Sequence, residues 1–149
     1  MTSSIETKKA KILVLGSDGQ LGRSLKQSLS SNFIVEGINK KKFNFLEPNN
    51  FLNFLEDRNT KYVINAAAYT NVEQAETEVD LARLINGEAL KFIAKACNEK
   101  KIKLFHFSTD YVFDGEKDHP YSEEDTPNPI SSYGKSKFLG EKLIQENTE

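Results

Sequence analysis

Apolar residues in this chain fall into two kinds of segment that alternate from one end to the other. Short unbroken runs (Ile12-Leu13-Val14-Leu15, residues 33–38, Tyr62-Val63-Ile64 and residues 103–107) have the pattern of strands covered on both faces of a sheet. Between them the apolar residues recur at helical spacing. Leu21, Leu25 and Leu29 lie four apart and form one helical face. Pro48 suits the first turn of a second helix over 48–57. A long helix is predicted over 79–98, with Leu81, Leu84, Ile85, Leu90, Ile93 and Ala94 as its buried stripe. A last helix over 131–145 should turn Phe138, Leu139 and Leu143 inward. Such alternation predicts βαβ units, right-handed crossovers and an α/β fold with a doubly wound parallel sheet. Residues 1–10 read as a flexible polar tail, leaving 11–149 as one domain. The one long irregular stretch, 112–130, follows the carboxyl end of a strand, where open α/β sheets bind ligands.

Composition narrows the class. A 149-residue chain buries about two thirds of its unfolded surface, enough for a single core. The formal net charge of -2 gives no pull toward nucleic acid. No stretch reaches the ~20 apolar residues a bilayer span needs, and residues 1–9 lack the apolar centre of a secretory signal. The single cysteine, Cys97, allows no internal disulfide and suits a reducing compartment, so a cytoplasmic location is expected.

Gly16-Ser17-Asp18-Gly19-Gln20-Leu21-Gly22 places three glycines between a buried strand and a helix. Gly16 serves the sharp turn, Gly19 opens the backbone to a pyrophosphate, and Gly22 lets helix and strand approach closely. Glycine turns are common, so the signal rests on the flanking strand and helix. The end of the second strand chooses between nicotinamide cofactors, because a carboxylate there accepts from the adenosine 2′-hydroxyl and a basic group pairs a 2′-phosphate. Gly37-Ile38-Asn39-Lys40-Lys41-Lys42 offers no acid, and the lysines tilt the expectation toward NADP(H) over NAD(H).

Tyr133-Gly134-Lys135-Ser136-Lys137 sets a phenol and an amine four residues apart, on one face at the start of a helix. A phenol with a reference pKa of ~10 is a poor acid–base catalyst at neutral pH, and a nearby ammonium favours its phenolate. By itself the pair is weak, since exposed Tyr and Lys often share a helix face. Ser108-Thr109-Asp110 adds a hydroxyl at a strand's carboxyl end, able to donate to a substrate carbonyl as charge develops there. The three features together are specific.

From residue 11 onward the chain resembles the extended short-chain dehydrogenase/reductases, most closely the dTDP-4-dehydrorhamnose reductase family. The resemblance lies in Asn65-Ala66-Ala67-Ala68-Tyr69-Thr70-Asn71-Val72-Glu73-Gln74-Ala75-Glu76, in Ser108-Thr109-Asp110-Tyr111-Val112-Phe113-Asp114-Gly115, and in Asn128-Pro129 through Tyr133-Gly134-Lys135-Ser136-Lys137. It implies a Rossmann-type sheet and NAD(P)H-dependent reduction of the 4-keto group of a dTDP-linked 6-deoxyhexose, giving dTDP-L-rhamnose for surface polysaccharide. Thr109, Tyr133 and Lys137 then take the catalytic positions. Gly19, Gln20 and Leu21 line the pyrophosphate, Asn44 and Phe45 approach the adenine, and Ala68, Tyr69 and Thr70 pass the nicotinamide ribose. Thr109, Asp110 and Tyr111 fall on the sugar side.

Some positions depart from the family pattern. Asn39 and Asn44 stand where Asp is common, and Glu73 replaces an Asp. Ser24 replaces a Glu that in some members binds a metal at a dimer interface, so no metal is expected. The family also continues past position 149 into a substrate-binding half. The expectation is therefore a fold truncated before that half, which binds cofactor, self-associates through an unpaired strand edge (a homodimer or larger) and by itself turns over no sugar. Two other readings share these motifs. Nucleotide-sugar dehydratases resemble Thr-Asp-Glu at the strand end, where Tyr111 stands here, and epimerases differ in the block 66–76. A regulatory subunit of methionine adenosyltransferase is similar to this family and binds cofactor as a partner protein without turnover.

Overall fold

The computed structural model describes residues 9–56 and 58–148. Most of the expected tail (1–8) and the expected end of the second helix (57) lie outside the described residues. The elements run β1 (Lys11–Leu15), α1 (Gln20–Leu29), β2 (Ile34–Ile38), α2 (Phe51–Leu55), β3 (Thr60–Asn65), α3 (Val79–Arg83), α4 (Ala89–Glu99), β4 (Lys103–His106) and α5 (Ser132–Gln145). A 3₁₀ turn, Pro48–Asn50, leads into α2, so the predicted second helix is real but shorter than 48–57.

All strand pairs are parallel and the order is β2-β1-β3-β4. Successive side chains of a strand point to opposite faces, so an unbroken apolar run needs a cover on each side. Leu13, Leu15, Ile38 and Val63 face one way and join Phe51, Leu55, Leu90 and Ile93 in the larger core. Ile12, Val14 and Ile64 face the other way, toward Leu25 and Leu29 of α1. The α/β doubly wound class is therefore as predicted. Truncating a side chain such as Leu13, with no exposed surface, costs about 2–5 kcal/mol.

Three helical faces differ from expectation. Leu21 remains 38% exposed at the start of α1, while Leu25 and Leu29 pack against Ile12, Val14 and Ile64. The long helix is interrupted by a π turn, Leu84–Glu88, between α3 and α4. A π turn inserts an extra residue and rotates the inward face. Leu81, Leu84 and Ile85 are thereby left half-buried, while Ala82, Asn86, Gly87 and Ala89 become the buried positions.

In α5 the buried residues are Gly134, Ser136, Lys137 and Gly140, not Phe138, Leu139 and Leu143. This helix packs on α3, the π turn and α4, where small residues permit close approach. Leu139 fills the space over Gly87, and Phe138 lies under the Lys142 amine, 4.6 Å from its ring centre. No helix among the described residues is long and apolar enough to cross a membrane.

Candidate active site

The candidate residues lie in the loops that follow the sheet strands and at the starts of α1 and α5. Gly16 ends β1 with a φ of +74°, and a side chain there would put Cβ 2.6 Å from the backbone nitrogen of Ala67. Its N–H and that of Ser17 donate to the Ile38 carbonyl at 2.9 and 3.2 Å, tying the turn to β2. A Cβ on Gly22 would run into the Gly16 carbonyl, so α1 leaves the turn in direct backbone contact. Gly19 is the N-cap residue of α1 and no side chain caps the first turn. The amides at Gln20 and Leu21 thus head a helix whose N-terminal dipole and free donors suit an anion. A nucleotide pyrophosphate fits this cradle, and a side chain would fill it.

The end of β2 corrects one expectation. Asn39 donates through Nδ2 to Oδ2 of Asp18 at 3.0 Å, so an acid does stand at this position, delivered by the neighbouring glycine turn. Parallel pairing of β1 with β2 brings it there, and no linear signal in 37–42 could have shown it. Asn39 Oδ1 accepts from the N–H groups of Lys41 and Lys42. The Lys42 amine donates to the Gly37 carbonyl at 3.0 Å and stands 4.0 Å from Glu36, while Lys40 and Lys41 are exposed. Asn44 is exposed and accepts from the Leu46 N–H at 3.0 Å. Phe45 lies edge-on to Phe43, with ring centres 5.5 Å apart.

After β3, Ala68 and Tyr69 are half-buried and Thr70 is exposed. Asn86, in the π turn, holds this segment at both polar atoms of one residue. Its Oδ1 accepts the Tyr69 N–H at 2.8 Å and its Nδ2 donates to the Tyr69 carbonyl at 3.0 Å. The same Nδ2 is 3.0 Å from the Ser136 hydroxyl on α5. Sequence reading missed Asn86 because a lone polar residue inside an apolar helix carries no motif. The Tyr69 hydroxyl donates to Glu78 at 2.8 Å, and burial followed by that carboxylate pushes its pKa up.

At the end of β4 the two candidate hydroxyls separate. The Ser108 hydroxyl is tied to Glu141 of α5. Thr109 keeps an adaptable hydroxyl, which donates to Asp110 Oδ1 at 3.2 Å and accepts from the Tyr111 N–H at 3.3 Å. Tyr111 is 47% exposed and meets the Tyr133 ring edge-on, centres 5.6 Å apart.

Helix α5 is fixed at its start by two caps. Ser131 Oγ accepts from the Gly134 N–H at 3.0 Å, and Glu76 accepts from both the N–H and the hydroxyl of Ser132 at 2.7 and 2.8 Å. The Ser132 N–H is the main reason that the Glu76 carboxyl lies below its ordinary range. One turn along, Lys137 is 3% exposed and donates to the Phe107 carbonyl at 2.6 Å. Burial pushes its amine down to about 8, against the opposing charge of Glu141. A phenol, a hydroxyl at a strand end and a buried amine one turn along the phenol's helix are groups able to protonate a carbonyl oxygen together.

The RmlD substrate binding domain family matches residues 10–149. A dTDP-4-dehydrorhamnose reductase of Salmonella typhimurium is 40% identical over 140 residues, covering 91% of this chain and 47% of its own length. The spore coat polysaccharide biosynthesis protein SpsK of Bacillus subtilis is 39% identical, covering 93% of this chain and 50% of its own. Among solved structures, the dTDP-4-dehydrorhamnose reductase of Bacillus anthracis in complex with NADP superposes with a TM-score of 0.91 at 34% identity, over 95% of this chain and 50% of that one. The chain thus spans about half the length of the relatives it matches.

Proposed function

This chain belongs to the RmlD family of dTDP-4-dehydrorhamnose reductases, and from that premise we propose that it carries the cofactor cradle and proton donors of an NAD(P)H-dependent ketoreductase. The substrate class is a dTDP-linked 4-keto-6-deoxyhexose, and the product is the dTDP-6-deoxyhexose of rhamnose biosynthesis. The observation that supports the reading is the packing of α5 on the end of β4, where Tyr133 meets Tyr111 edge-on and Lys137 donates to the Phe107 carbonyl, with the glycine turn set against Ala67 beyond the end of β3. When bound, the reduced nicotinamide supplies the hydride. Tyr133 gives its hydroxyl proton to the carbonyl oxygen, and Thr109 donates a hydrogen bond to that oxygen as it becomes negative. Lys137 stands behind Tyr133 on the same helical face and, when protonated, supplies positive charge for a phenolate.

Gly16, Gly19, Gln20, Leu21 and Gly22 hold the pyrophosphate in this reading. Asn39 and Lys40 serve the adenosine ribose, Asn44 and Phe45 the adenine, and Ala68, Tyr69 and Thr70 the nicotinamide ribose beside Tyr133 and Lys137. Asp110 and Tyr111 join Thr109 on the sugar side. NADPH is preferred over NADH because Lys40 and Lys41 are exposed and free to approach a 2′-phosphate, and the solved relative that binds NADP supports this. Asp18 next to Asn39 keeps the preference small. Work in the cytoplasm fits a buried free thiol at Cys97 and soluble nucleotide co-substrates.

The reading is tested by following NADPH absorbance with the dTDP-4-keto sugar in this chain completed with the substrate-binding half that the family carries, since the chain by itself is expected to bind cofactor without turnover. Sugar-dependent oxidation is expected. Tyr133→Phe should lower turnover by ~10²–10⁴-fold while cofactor affinity stays nearly intact. Near-normal turnover in Tyr133→Phe would sink the assignment.

A further inference from the structure

The two caps on α5 differ in origin. The Ser131 hydroxyl accepts the Gly134 N–H from within its own segment, so it travels with the helix. Glu76 comes from the loop after β3, 56 residues away in the chain. Its Oε1 accepts the Ser132 N–H at 2.7 Å and its Oε2 accepts the Ser132 hydroxyl at 2.8 Å. The first N–H groups of a helix have no partner inside it, and an anion there also meets the positive end of the dipole. Ser131 already supplies the local cap that favours helix formation. A carboxylate from another element adds something a local cap cannot, because it fixes where the helix begins relative to that element. Two bonds to one residue set direction as well as distance.

The loop that carries Glu76 is itself braced. Asn71 Oδ1 accepts the Gln74 N–H at 3.0 Å, and the N–H of fully buried Ala75 donates to the Asn71 carbonyl at 3.0 Å. Gln74 Nε2 donates to Glu78 at 2.7 Å, and the same carboxylate accepts the Tyr69 hydroxyl. The loop thus touches α5 at Ser132 and, through Asn86, at Ser136, the residues that precede Tyr133 and Lys137. A Cβ on Gly134 would run into the Tyr111 carbonyl, so the first turn of α5 has no room to slide that way. We propose that Glu76 is a positioning residue, which by holding Ser132 at two points fixes the Tyr133 end of α5 to the loop that carries Tyr69 and Thr70. The proposal rests on the reductase reading, in which that loop passes the nicotinamide ribose and Tyr133 is the proton donor. A carbonyl between them must meet both elements at once, and a misplacement of about 1 Å costs ~10²-fold in rate.

The local charges agree. The Ser132 N–H first, and then its hydroxyl, hold the Glu76 carboxyl below its ordinary range, and the Lys135 charge adds to this. Glu76 is therefore an ionised acceptor at neutral pH, able to take both bonds. Exposed carboxylate contacts are commonly weak because long side chains must be held in one geometry. Here Ser132 belongs to a helical turn and the loop is anchored by Ala75, so both backbones are already in place.

The test uses the chain completed with its substrate-binding half and compares Glu76→Ala, the milder Glu76→Gln and a control, Glu73→Ala, at an exposed position of the same loop. In Glu76→Ala kcat should fall roughly 10-fold or more while KM for the sugar stays near that of the unmodified enzyme. Glu76→Gln should lose less, because its one amide oxygen still accepts from Ser132. Carbon NMR of tyrosine labelled at Cζ reads the same displacement without turnover. The Tyr133 signal, identified by its loss in Tyr133→Phe, should move in both Glu76 variants and stay in Glu73→Ala. A Tyr133 signal unmoved in Glu76→Gln overturns the proposal. So does turnover that falls only with the folded fraction, or a loss confined to KM, since a plain helix cap would behave that way. If Glu76→Ala does not fold, Glu76→Gln decides alone. An inactive unmodified enzyme would unseat the reductase reading only, because the Tyr133 signal still decides the tie.

Discussion

The turn after β1 and the loop after β4 lie on the same edge of one sheet, yet they are built from opposite materials. The first is backbone against backbone. Gly16 sits against Ala67, Gly22 against the Gly16 carbonyl, and the Gly16 and Ser17 amides on Ile38. Asp18 and Arg23 bond around its outside, but its close contacts are backbone on backbone. The second is shaped by carboxylates. Asp114 accepts from the Tyr121 hydroxyl, the Asn128 amide and the Glu116 N–H. Asp125 accepts from the Lys117 amine and the Ser122 N–H. The Phe113 and Tyr121 rings stack between them at 4.3 Å. In the proposed reading the first region must admit a pyrophosphate and so has no room for side chains, whereas the second frames a proton donor and can be assembled from them. The two should therefore respond differently to added bulk and to acid.

The largest expected effect of that contrast is steric. Gly22→Ala puts a methyl group into the Gly16 carbonyl, and overpacking of this kind costs about 1–3 kcal/mol because rigid backbone cannot yield. Thermal unfolding should fall by several degrees and calorimetry should show weakened NADPH binding. Asn44→Ala, an exposed change on the same side of the sheet, should leave the melting temperature in place. An unchanged melting temperature in Gly22→Ala would mean that the turn is not backbone-locked.

A smaller effect separates the loops by pH. Hydrogen bonds, first from Tyr121 and then from Asn128 and Glu116, hold the Asp114 carboxyl down to about 2 from an ordinary 3.8. A depressed carboxylate stabilises the folded loop above its unfolded pKa and loses that contribution as pH falls through the folded one. Amide signals of Glu116 and Asn128 should therefore move between about pH 4 and about pH 2, while those of Gly16 and Gly22 stay fixed. Asp114→Asn should abolish the movement. Simultaneous shifts in both regions would show global unfolding and break the contrast.

The smallest effect concerns the rim of the cofactor site. Lys40 and Lys41 are exposed charges, each worth about 1 kcal/mol or less after screening. Calorimetric titration should give a modest preference for NADPH that shrinks with added salt. Asp18→Asn should enlarge it, because the carboxylate beside Asn39 opposes a 2′-phosphate. Tighter NADH binding, or a ratio insensitive to salt, would contradict the assigned preference.

The strands and the fold class were legible in the sequence because burial on both faces of a parallel sheet demands unbroken apolar runs, and Leu13-Val14-Leu15 and Val63-Ile64 obey that demand locally. The glycine turn and the Tyr133–Lys137 spacing were legible for a similar reason. Each lies within one short segment, where backbone geometry alone fixes what faces what. Tertiary structure decided the rest. The π turn moved the buried stripe of the long helix onto Asn86, and helix-on-helix contact filled the inner face of α5 with Gly134, Ser136, Lys137 and Gly140. Asp18 reached Asn39 across the β1–β2 pair, and Asn65 reached Lys137 through His106 across the β3–β4 pair. Sequence periodicity records which residues leave water. It does not record which polar groups meet once they have left, because that depends on strand order and helix packing between segments far apart in the chain.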